Sequence, residues 1–563
     1  MYILGISSHY HDSAAALIHN GKVIAAAEEE RFTRIKHDNS FPSRAIKFCL
    51  NFAGISSKNL DYIVYYEKPL LKFERIVDTF VKTYPFSLSP FLKGIPEWLG
   101  NKIKIEQIIR QELDYKRKLF FIPHHLSHAS AAYFTSPFKK SAILTIDGVG
   151  EYQTTGLWMG SGHSITPLKS LNFPHSLGLF YSTFTSFLGM KVNEDEYKLM
   201  GLAAYGVPIY KDKIREIIDI KDDGSFKLNL KYFKFRESFT MWGKPFEDIF
   251  GKPRKIKDPF NKRHKDLAAS IQSVIEEIYF KILINLYQET NIQNLCISGG
   301  VGLNSLANGK IYQNTPFNRV HIYGPAGDNG CAIGCALYLY NSILKKNRQK
   351  NISLKLGSKY GSDEIESALK KSKLKYKIIK NSDELIEETV QLLDRNKIIG
   401  WYQDRMEFGP RALGGRSILA NPNDAKMRKK VNQIKGRELF RPFAVSVLQE
   451  RVDYLFEVPE KNHYSPFMNF CFKVKKKSRK YIPGVVHKDS TCRIQTVNRS
   501  DQLYYQLIKL FYIKTGIPCL LNTSFNFRGE PIVESPEQAL NTFLRSKLDY
   551  LIIGNFLITR DNQ

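Results

Sequence analysis

Apolar positions at the start of the chain fall in short blocks, YILGIS and SAAALIH, and a third block, KVIAAAEEE, follows the pair Asn20-Gly21. Asn-Gly between apolar runs predicts a tight β-hairpin, because both central residues of that turn need positive φ. The plan recurs at SAILTIDGVG, TTGLWMGSG and HSITPLKSL, where a strand over 141–146 runs into Asp147-Gly148 and two strands follow across a GSG turn. Two strand–polar loop–hairpin units predict an internal structural duplication, carried by pattern and not by residue identity. Residues 264–290 place apolar side chains at helical spacing. NLCISGGVGLN then reads as a buried strand over 295–298, a loop with Gly299, Gly300 and Gly302, and a helix; RVHIYGPAGDNGCAIGCALYLY repeats strand, glycine loop and helix. The polar and basic stretch 344–362 marks a boundary. Beyond it come a helix (DELIEETVQLLDR), a strand (KIIGWYQD), the loop RMEFGPRALGGRSILANP, and strand-like blocks in RPFAVSVL, RIQTVN, IPCLLNTSFNF and DYLIIGNFLI. The expected architecture is α/β throughout, with one domain over 1–348 and a second, mixed-sheet domain over 349–563.

Composition narrows this picture. A chain of 563 residues is too long for one ordinary core, and 43% hydrophobic with 13% aromatic residues suits folded domains rather than disorder. No stretch is long and apolar enough to cross a bilayer, and MYILGISSHYHDS lacks the basic start of a secretory signal. A cytoplasmic protein without a membrane partner is expected. Cys49, Cys296, Cys331, Cys335, Cys471, Cys492 and Cys519 are scattered and lack a C-x-x-C pair, which argues against a disulfide framework or a cysteine zinc site and for buried thiols. The net charge of +28 admits nucleic-acid binding, solvated surface lysines or attraction of small anions. KVKKKSRK, 473–480, reads as an exposed loop without stacking aromatics, and the motifs below favour small anions.

HHLSHASAAYF, 124–134, sets His124 and His128 one helical turn apart on one face, the spacing at which two imidazoles share an ion. The Glu of H-E-x-x-H is absent, and Ala129, Ser130, Ala131 and Ala132 let such a helix pack closely under a loop. A bare H-x3-H pair is more often a packing feature. Asp147 after AILTI and Asp328 after YGPAG shift the balance, because acidic residues at strand ends face the ligand crevice of an α/β sheet. Two His and two Asp form a mixed N,O set suited to Fe²⁺, Mn²⁺ or Zn²⁺. The glycine loops at 299–302 and 324–327 offer backbone N–H groups to phosphates. In the second domain Arg405, Arg411, Arg416, Lys435, Arg437, Arg441 and Arg493 gather beside glycine turns, with Ser524 and Asn526 following a buried strand. That density favours a phosphate site, although some arginines are expected to pair with Glu407 and Glu438 on the surface.

The chain resembles the ATP-dependent O-carbamoyltransferases that decorate nodulation factors, antibiotics and related natural products. The resemblance runs along nearly the whole chain, through HDSAAAL, EEERFTRIKHD, HHLSHASAAY, DGVGE, FPHSLGLFYSTFT, EYKLMGLAAYG, ISGGVGLN, GPAGDNGCAIG, EFGPRALGGRSILANP, RELFRPFA, RIQTV and LLNTSFNFRGEPIV. It implies an actin/Hsp70/sugar-kinase-like (Kae1-like) first domain and a YrdC-like second domain. The implied chemistry joins carbamoyl phosphate and ATP into carbamoyl adenylate and then carries the carbamoyl group to a small-molecule hydroxyl. The resemblance implies iron, with Mn²⁺ as another divalent option, on His124, His128, Asp147 and Asp328, and Mg²⁺ alongside ATP. It implies carbamoyl phosphate contacts at Lys435, Arg441, Arg493, Ser524 and Asn526, and nucleotide contacts at Lys36, Gly299, Gly300, Asn304 and Arg411. His11 matches the base toward the acceptor hydroxyl, with His9 as its alternative. A monomer or homodimer is expected, and nucleic acid is not. The competing readings are a threonylcarbamoyl-type tRNA-modifying enzyme and a nucleotide-dependent binding protein without turnover. The acceptor is not legible.

Overall fold

β1 (Tyr2–Ser7) pairs antiparallel with β2 (Ala14–His19), which turns back as β3 (Lys22–Glu28). Asn20 and Gly21 make that turn with φ of 49° and 83°, the left-handed pair that Asn-Gly supplies at low cost. β4 (Tyr62–Tyr65) and β5 (Leu119–Phe121) add parallel strands on the other side, giving the order β3-β2-β1-β4-β5. A second five-stranded sheet follows. β6 (Lys140–Ile146) carries the antiparallel β7 (Gln153–Ser161) and β8 (Ser164–Asn172) on one side. After the separate hairpin β9 (Ile218–Ile220) and β10 (Phe226–Leu228), β11 (Asn294–Ser298) and β12 (Arg319–Ile322) add in parallel on the other side. Its order, β8-β7-β6-β11-β12, repeats that of the first sheet: a central strand, a hairpin on one side and two parallel strands on the other. The duplication expected from pattern alone is present as topology.

The computed structural model describes residues 1–350 and 353–560 of the chain. These form two compact units. The first comprises residues 1–29, 37–307 and 311–350; the second comprises residues 30–36, 308–310 and 353–560.

In the first unit, the His124–Thr135 helix packs on β6, β7 and β11, and the Asp328–Tyr338 helix packs on β1, β2 and β4. The two helices also pack on each other, so the sheets are joined through a helix pair. Small residues make this approach possible. A Cβ on Gly5 would sit 1.9 Å from the Ala332 carbonyl oxygen, and one on Gly334 would sit 2.0 Å from that of Ser127. The Ala/Ser run after His128 therefore serves contact with a helix, not with a loop as expected. Asp328 also differs from its expected place: β12 ends at Ile322, and Asp328 is the first residue of the next helix, where a carboxylate is favoured by the helix dipole.

The second unit is built on nine strands: β13 (Lys377–Ile378), β14 (Ile399–Tyr402), β15 (Arg416–Ala420), β16 (Ala444–Leu448), β17 (Phe470–Lys473), β18 (Thr491–Val497), β19 (Cys519–Ser524), β20 (Tyr550–Ile553) and β21 (Phe556–Thr559). Their order is β13-β21-β20-β14-β15-β19-β16-β18-β17, with β14–β20 and β16–β18 parallel and the other neighbours antiparallel. The block DYLIIGNFLI proves to be two strands turning at Gly554, whose φ is 56°. The Ser382–Asp394 and Gln502–Thr515 helices pack together beside this sheet. The segment Glu30–Lys36 is anchored here by arginines: Arg31 donates to the Gly409 carbonyl at 2.7 Å, and Arg34 donates to those of Ile532 and Pro531 at 2.7 and 2.8 Å. The fold class is α/β in both units, as expected.

Candidate functional site

The first unit gathers His124, His128, Asp147 and Asp328. Their ligand atoms all lie within 4.8 Å of one another. Nε2 of His124 stands 3.2 Å from Nε2 of His128, and Oδ2 of Asp147 lies 3.0 Å from the former and 3.4 Å from the latter. Oδ1 of Asp328 is 3.7 and 3.4 Å from the same two nitrogens. Metal–ligand bonds of about 2.0–2.2 Å put neighbouring donors roughly 3–3.5 Å apart, so these spacings are those of one coordination sphere. All four residues are buried, and Oδ2 of Asp328 is buried with no hydrogen-bond partner. A buried carboxylate oxygen left unpaired is costly unless a cation or donor meets it. The donor set and this orphan oxygen fit a divalent transition metal.

The surroundings orient the four. Ser298, at the end of β11, places its Oγ 3.1 Å from Nδ1 of His128, which leaves Nε2 as the nitrogen facing the cluster. The Gly300 N–H donates to Oδ1 of Asp147 at 3.0 Å. Glu151 accepts from the His124 N–H at 3.0 Å and from the Lys68 N–H at 2.8 Å, meeting an otherwise unpaired N–H at the buried start of the helix that carries both histidines. His125 points elsewhere: its Nδ1 lies 2.9 Å from Oγ1 of Thr145, and burial, then the neighbouring His124 and His128, push its pKa down to about 3. Burial opposes a proton on His128, yet Cys331 and hydrogen bonds to Asp147 and Asp328 hold its pKa well above the usual value. Burial likewise opposes charge on Asp147, but hydrogen bonds from His124 and His128 keep it well below the carboxylate range. Cys331 is a neighbour not singled out from the sequence. Its thiol lies within the same reach of both histidines, and burial pushes its pKa to about 12. The signal was one turn of helix between Asp328 and Cys331.

His11 belongs to the first unit as well, in the loop between β1 and β2. Its Nδ1 is 3.1 Å from Oδ2 of Asp12, whose Oδ1 is 2.6 Å from Nδ1 of His37. His9, Asp12 and His37 all have positive φ, at 67°, 55° and 57°, uncommon for residues with side chains and frequent at functional sites. Burial works against a charged His11, but Asp12, through charge and hydrogen bond, and then Asp328 and Asp147 raise its pKa to about 9. His9, the alternative, is pushed the other way to about 4, by burial and then Lys102, and its Nε2 is buried without a partner. Neither Asp12 nor His37 was singled out from the sequence; the clue was Asp12 beside His11 and a second histidine in RIKHD.

Gly299 and Gly300 follow β11. Gly299 has φ of 97°, and a Cβ there would meet the Ile146 carbonyl oxygen at 2.2 Å; it brings the loop against the end of β6. Asn304 exchanges hydrogen bonds with Gln272, at 3.1 Å in each direction. These three belong to the first unit, whereas Lys36 and Arg411 belong to the second.

In the second unit, Lys435 is 2% exposed. Its ammonium donates to the Ser524 carbonyl, to the Asn526 carbonyl at 2.8 Å and to Oδ1 of Asn526 at 2.9 Å. Ser524 Oγ in turn donates to Asn526 Oδ1 at 2.7 Å. Burial, then Arg437 and Arg441, hold the Lys435 pKa well below its usual value. Arg493, on β18, is depressed by burial, and its Nε is buried without a partner. Lys435, Ser524 and Asn526 are thus brought together, with Arg441 and Arg493 coupled to the group by charge. Crowded cations of this kind are relieved by an anion.

Other expected members of the cluster serve the fold. Arg416 is fully buried, donates to the Gln403, Asp404, Gly415 and Ser358 carbonyls, and stacks 3.6 Å from the Tyr402 ring centroid. Arg405 donates to the Gly357 and Leu356 carbonyls. Glu407, expected to pair with arginines on the surface, is buried and accepts the Leu413 and Gly415 N–H groups at 2.7 and 2.6 Å. Glu438 does pair, with Arg528 at 3.1 Å and Arg441 at 3.6 Å.

The chain matches two family models, the carbamoyltransferase N-terminus over residues 2–337 and the carbamoyltransferase C-terminus over residues 390–560. It is 44% identical to the uncharacterized protein sll1178 of Synechocystis, with 100% of this chain and 97% of that protein covered. It is 38% identical to the nodulation protein NolNO of Sinorhizobium fredii, covering 98% of this chain and 79% of that one. Among solved structures, component A of (R)-2-hydroxyglutaryl-CoA dehydratase from Acidaminococcus fermentans aligns with 61% of this chain and 98% of its own, at 16% identity and a TM-score of 0.34.

Proposed function

The chain belongs to the carbamoyltransferase family, and from that premise we propose that it is an ATP-dependent O-carbamoyltransferase acting on a hydroxyl of a small-molecule natural product. The observation that carries this reading is the convergence of His124, His128, Asp147 and Asp328 on one point beside an orphaned carboxylate oxygen. A second cluster, Lys435 with Arg441 and Arg493, supplies the cationic surroundings that an activation step between anions requires.

In this reading the second unit works on carbamoyl phosphate and ATP. Loss of phosphate to water leaves carbamate, whose oxygen attacks the α-phosphorus of ATP; the bond to pyrophosphate breaks and carbamoyl adenylate results. Carbamate and triphosphate repel, and Lys435, Arg441 and Arg493 offset that repulsion with charge that is already in place. Ser524 and Asn526 keep the Lys435 ammonium fixed in direction. The first unit then works on the adenylate. A divalent ion held by His124, His128, Asp147 and Asp328, Fe²⁺ by family resemblance, supplies Lewis acidity toward a phosphate oxygen when bound. Ser298 and Gly300 hold His128 and Asp147 in place. Asp12 fixes Nδ1 of His11, so Nε2 takes the acceptor's hydroxyl proton. The acceptor oxygen bonds the carbamoyl carbon, and AMP leaves with the electron pair. Activation as an adenylate is needed because an alcohol is a weak nucleophile, and His11 and the phosphate leaving group address the two ends of the same barrier.

The test is to supply ATP and carbamoyl phosphate, follow AMP and pyrophosphate, and screen hydroxyl-bearing natural products by mass spectrometry for the gain of one carbamoyl group. AMP and pyrophosphate formed only when carbamoyl phosphate is present, with one acceptor class modified, is the expected result. Stimulation by tRNA with no small alcohol modified would favour the tRNA-modifying alternative and overturn this reading.

A further inference from the structure

Between β4 and β5 the chain makes a long helical excursion that the proposed chemistry does not use. Its second helix, Leu88–Glu97, continues as a wider turn over Trp98–Lys102. At 3.6 residues per turn, Leu88, Leu92, Pro96 and Leu99 fall within one arc of about 80°. All four are exposed, Leu92 at 60%. The adjoining arc is already satisfied: Phe91 stacks on Phe80 of the preceding Pro69–Thr83 helix with ring centroids 3.9 Å apart, and Trp98 meets Phe73 at 6.0 Å. The helix is therefore apolar over both arcs, and only one is covered. An outward apolar stripe of this kind belongs against something non-aqueous.

The flanks say what. Phe86 and Phe239 are 73% and 70% exposed. Lys93 Nζ lies 5.2 Å from the Phe239 ring centroid, and Lys234 Nζ, paired with Glu237 at 2.6 Å, lies 6.0 Å from that of Phe86. Lys104 is exposed along the same excursion. Over residues 78–104, Lys82 pairs with Asp78 at 2.7 Å and Lys102 with Glu97 at 3.0 Å, so Lys93 and Lys104 carry the excess positive charge. The whole chain carries +28. Exposed leucines and phenylalanines bordered by lysines match the interface of a bilayer bearing anionic headgroups, where apolar side chains enter the acyl boundary and lysines reach the phosphates. A second copy of the chain would bring the same lysines against these and repel.

We propose that the Leu88–Lys102 face docks the protein peripherally on an anionic lipid surface. This differs from the membrane-free expectation drawn from the sequence. That expectation rested on the lack of a spanning segment, and no helix among the described residues is long and apolar enough to cross a membrane. A helix lying in the interface is amphipathic with low net hydrophobicity, and that criterion does not register it.

The test is sedimentation of the full chain with vesicles of phosphatidylcholine alone or mixed with phosphatidylglycerol, alongside analytical ultracentrifugation without lipid. The wild-type protein is expected to sediment with the anionic vesicles and to be released by high salt. The double variant Leu88→Glu/Leu92→Glu, with an unchanged circular dichroism melt, is expected to lose at least about tenfold in bound-to-free ratio. Lys93→Glu/Lys234→Glu keeps the leucines and is expected to lose binding to the anionic vesicles as well. Absence of vesicle binding by the wild type, or equal binding to both vesicle types, overturns the proposal. So does a wild-type dimer that the leucine variant dissociates while vesicle binding is absent, which would assign the face to self-association. If the leucine variant fails to fold, the lysine variant alone decides.

Discussion

The carboxylate of Asp12 lies 3.1 Å from Nδ1 of His11, which commits that nitrogen and leaves Nε2 for the role proposed above. The same carboxylate holds His37 through its other oxygen at 2.6 Å. One anion therefore serves two imidazoles, and against burial its charge and hydrogen bond raise the pKa of His11 to about 9.

A group raised in this way stabilises the fold in its cationic form. That contribution is fully present below His11's ordinary value of about 6.5 and is lost as pH rises through about 9. In protein treated with chelator, the His11 ring is expected to titrate near 9 by NMR. Asp12→Asn is expected to move the midpoint down toward about 6.5. Because Asp147 and Asp328 also raise His11, a cation bound between them is expected to lower the midpoint in the unmutated protein. In turnover the acid limb of the rate profile should shift in the same direction for Asp12→Asn, with a lower plateau from a less well oriented ring.

His124→Ala removes one of four donors from a buried cluster and leaves the carboxylates uncompensated. Transfer to the acceptor is expected to fall by at least about a thousandfold, since such sites supply several kcal/mol to a transition state. Carbamoyl-phosphate-dependent release of pyrophosphate is expected to persist, because Lys435, Arg441 and Arg493 lie in the other unit. Parallel assays of the two half-reactions check this, and equal loss of both would count against the division of labour.

Ser298→Ala leaves Nδ1 of His128 without its 3.1 Å partner. Loss of such an orienting group typically costs about 10–100-fold in metal affinity. Metal titration with competing chelator is expected to show that loss, with the melting temperature little changed.

Gly334→Ala tests how the fold positions the site. Its Cβ would lie 2.0 Å from the Ser127 carbonyl oxygen, so the two helices carrying His128 and Asp328 must separate. A stability loss of about 1–3 kcal/mol is expected, together with weaker metal retention in the folded fraction. Thermal melts and metal analysis of the same sample check both.

Much of this site was legible before the structure. His124 and His128 announce themselves by helical spacing, and Asp147 by its place after a buried strand, because periodicity fixes which side chains share a face. The duplicated sheets were legible through turn chemistry at Asn20-Gly21 and at 160–162. What was not legible depends on distant packing. Ser298 and Glu151 reach the cluster only after two sheets meet through a helix pair, and no local pattern marks them. The arginine cluster was read too broadly for the same reason: Arg405 and Arg416 satisfy backbone carbonyls, which charge and spacing alone do not distinguish from phosphate ligands. The outward stripe of Leu88 and Leu92 was hidden because a short helix has too few apolar residues to stand out by hydropathy.

The central claim, two half-reactions joined by an activated carbamate, is tested most directly in a single turnover. Metal-stripped and Fe²⁺-reconstituted protein would be given ATP, carbamoyl phosphate labelled at the carbamoyl carbon and an accepted alcohol, then quenched and analysed for labelled carbamoyl adenylate and labelled product. The stripped protein is predicted to accumulate the adenylate without product, and reconstitution to convert it. Equal product from both samples, or no adenylate from either, would contradict the account.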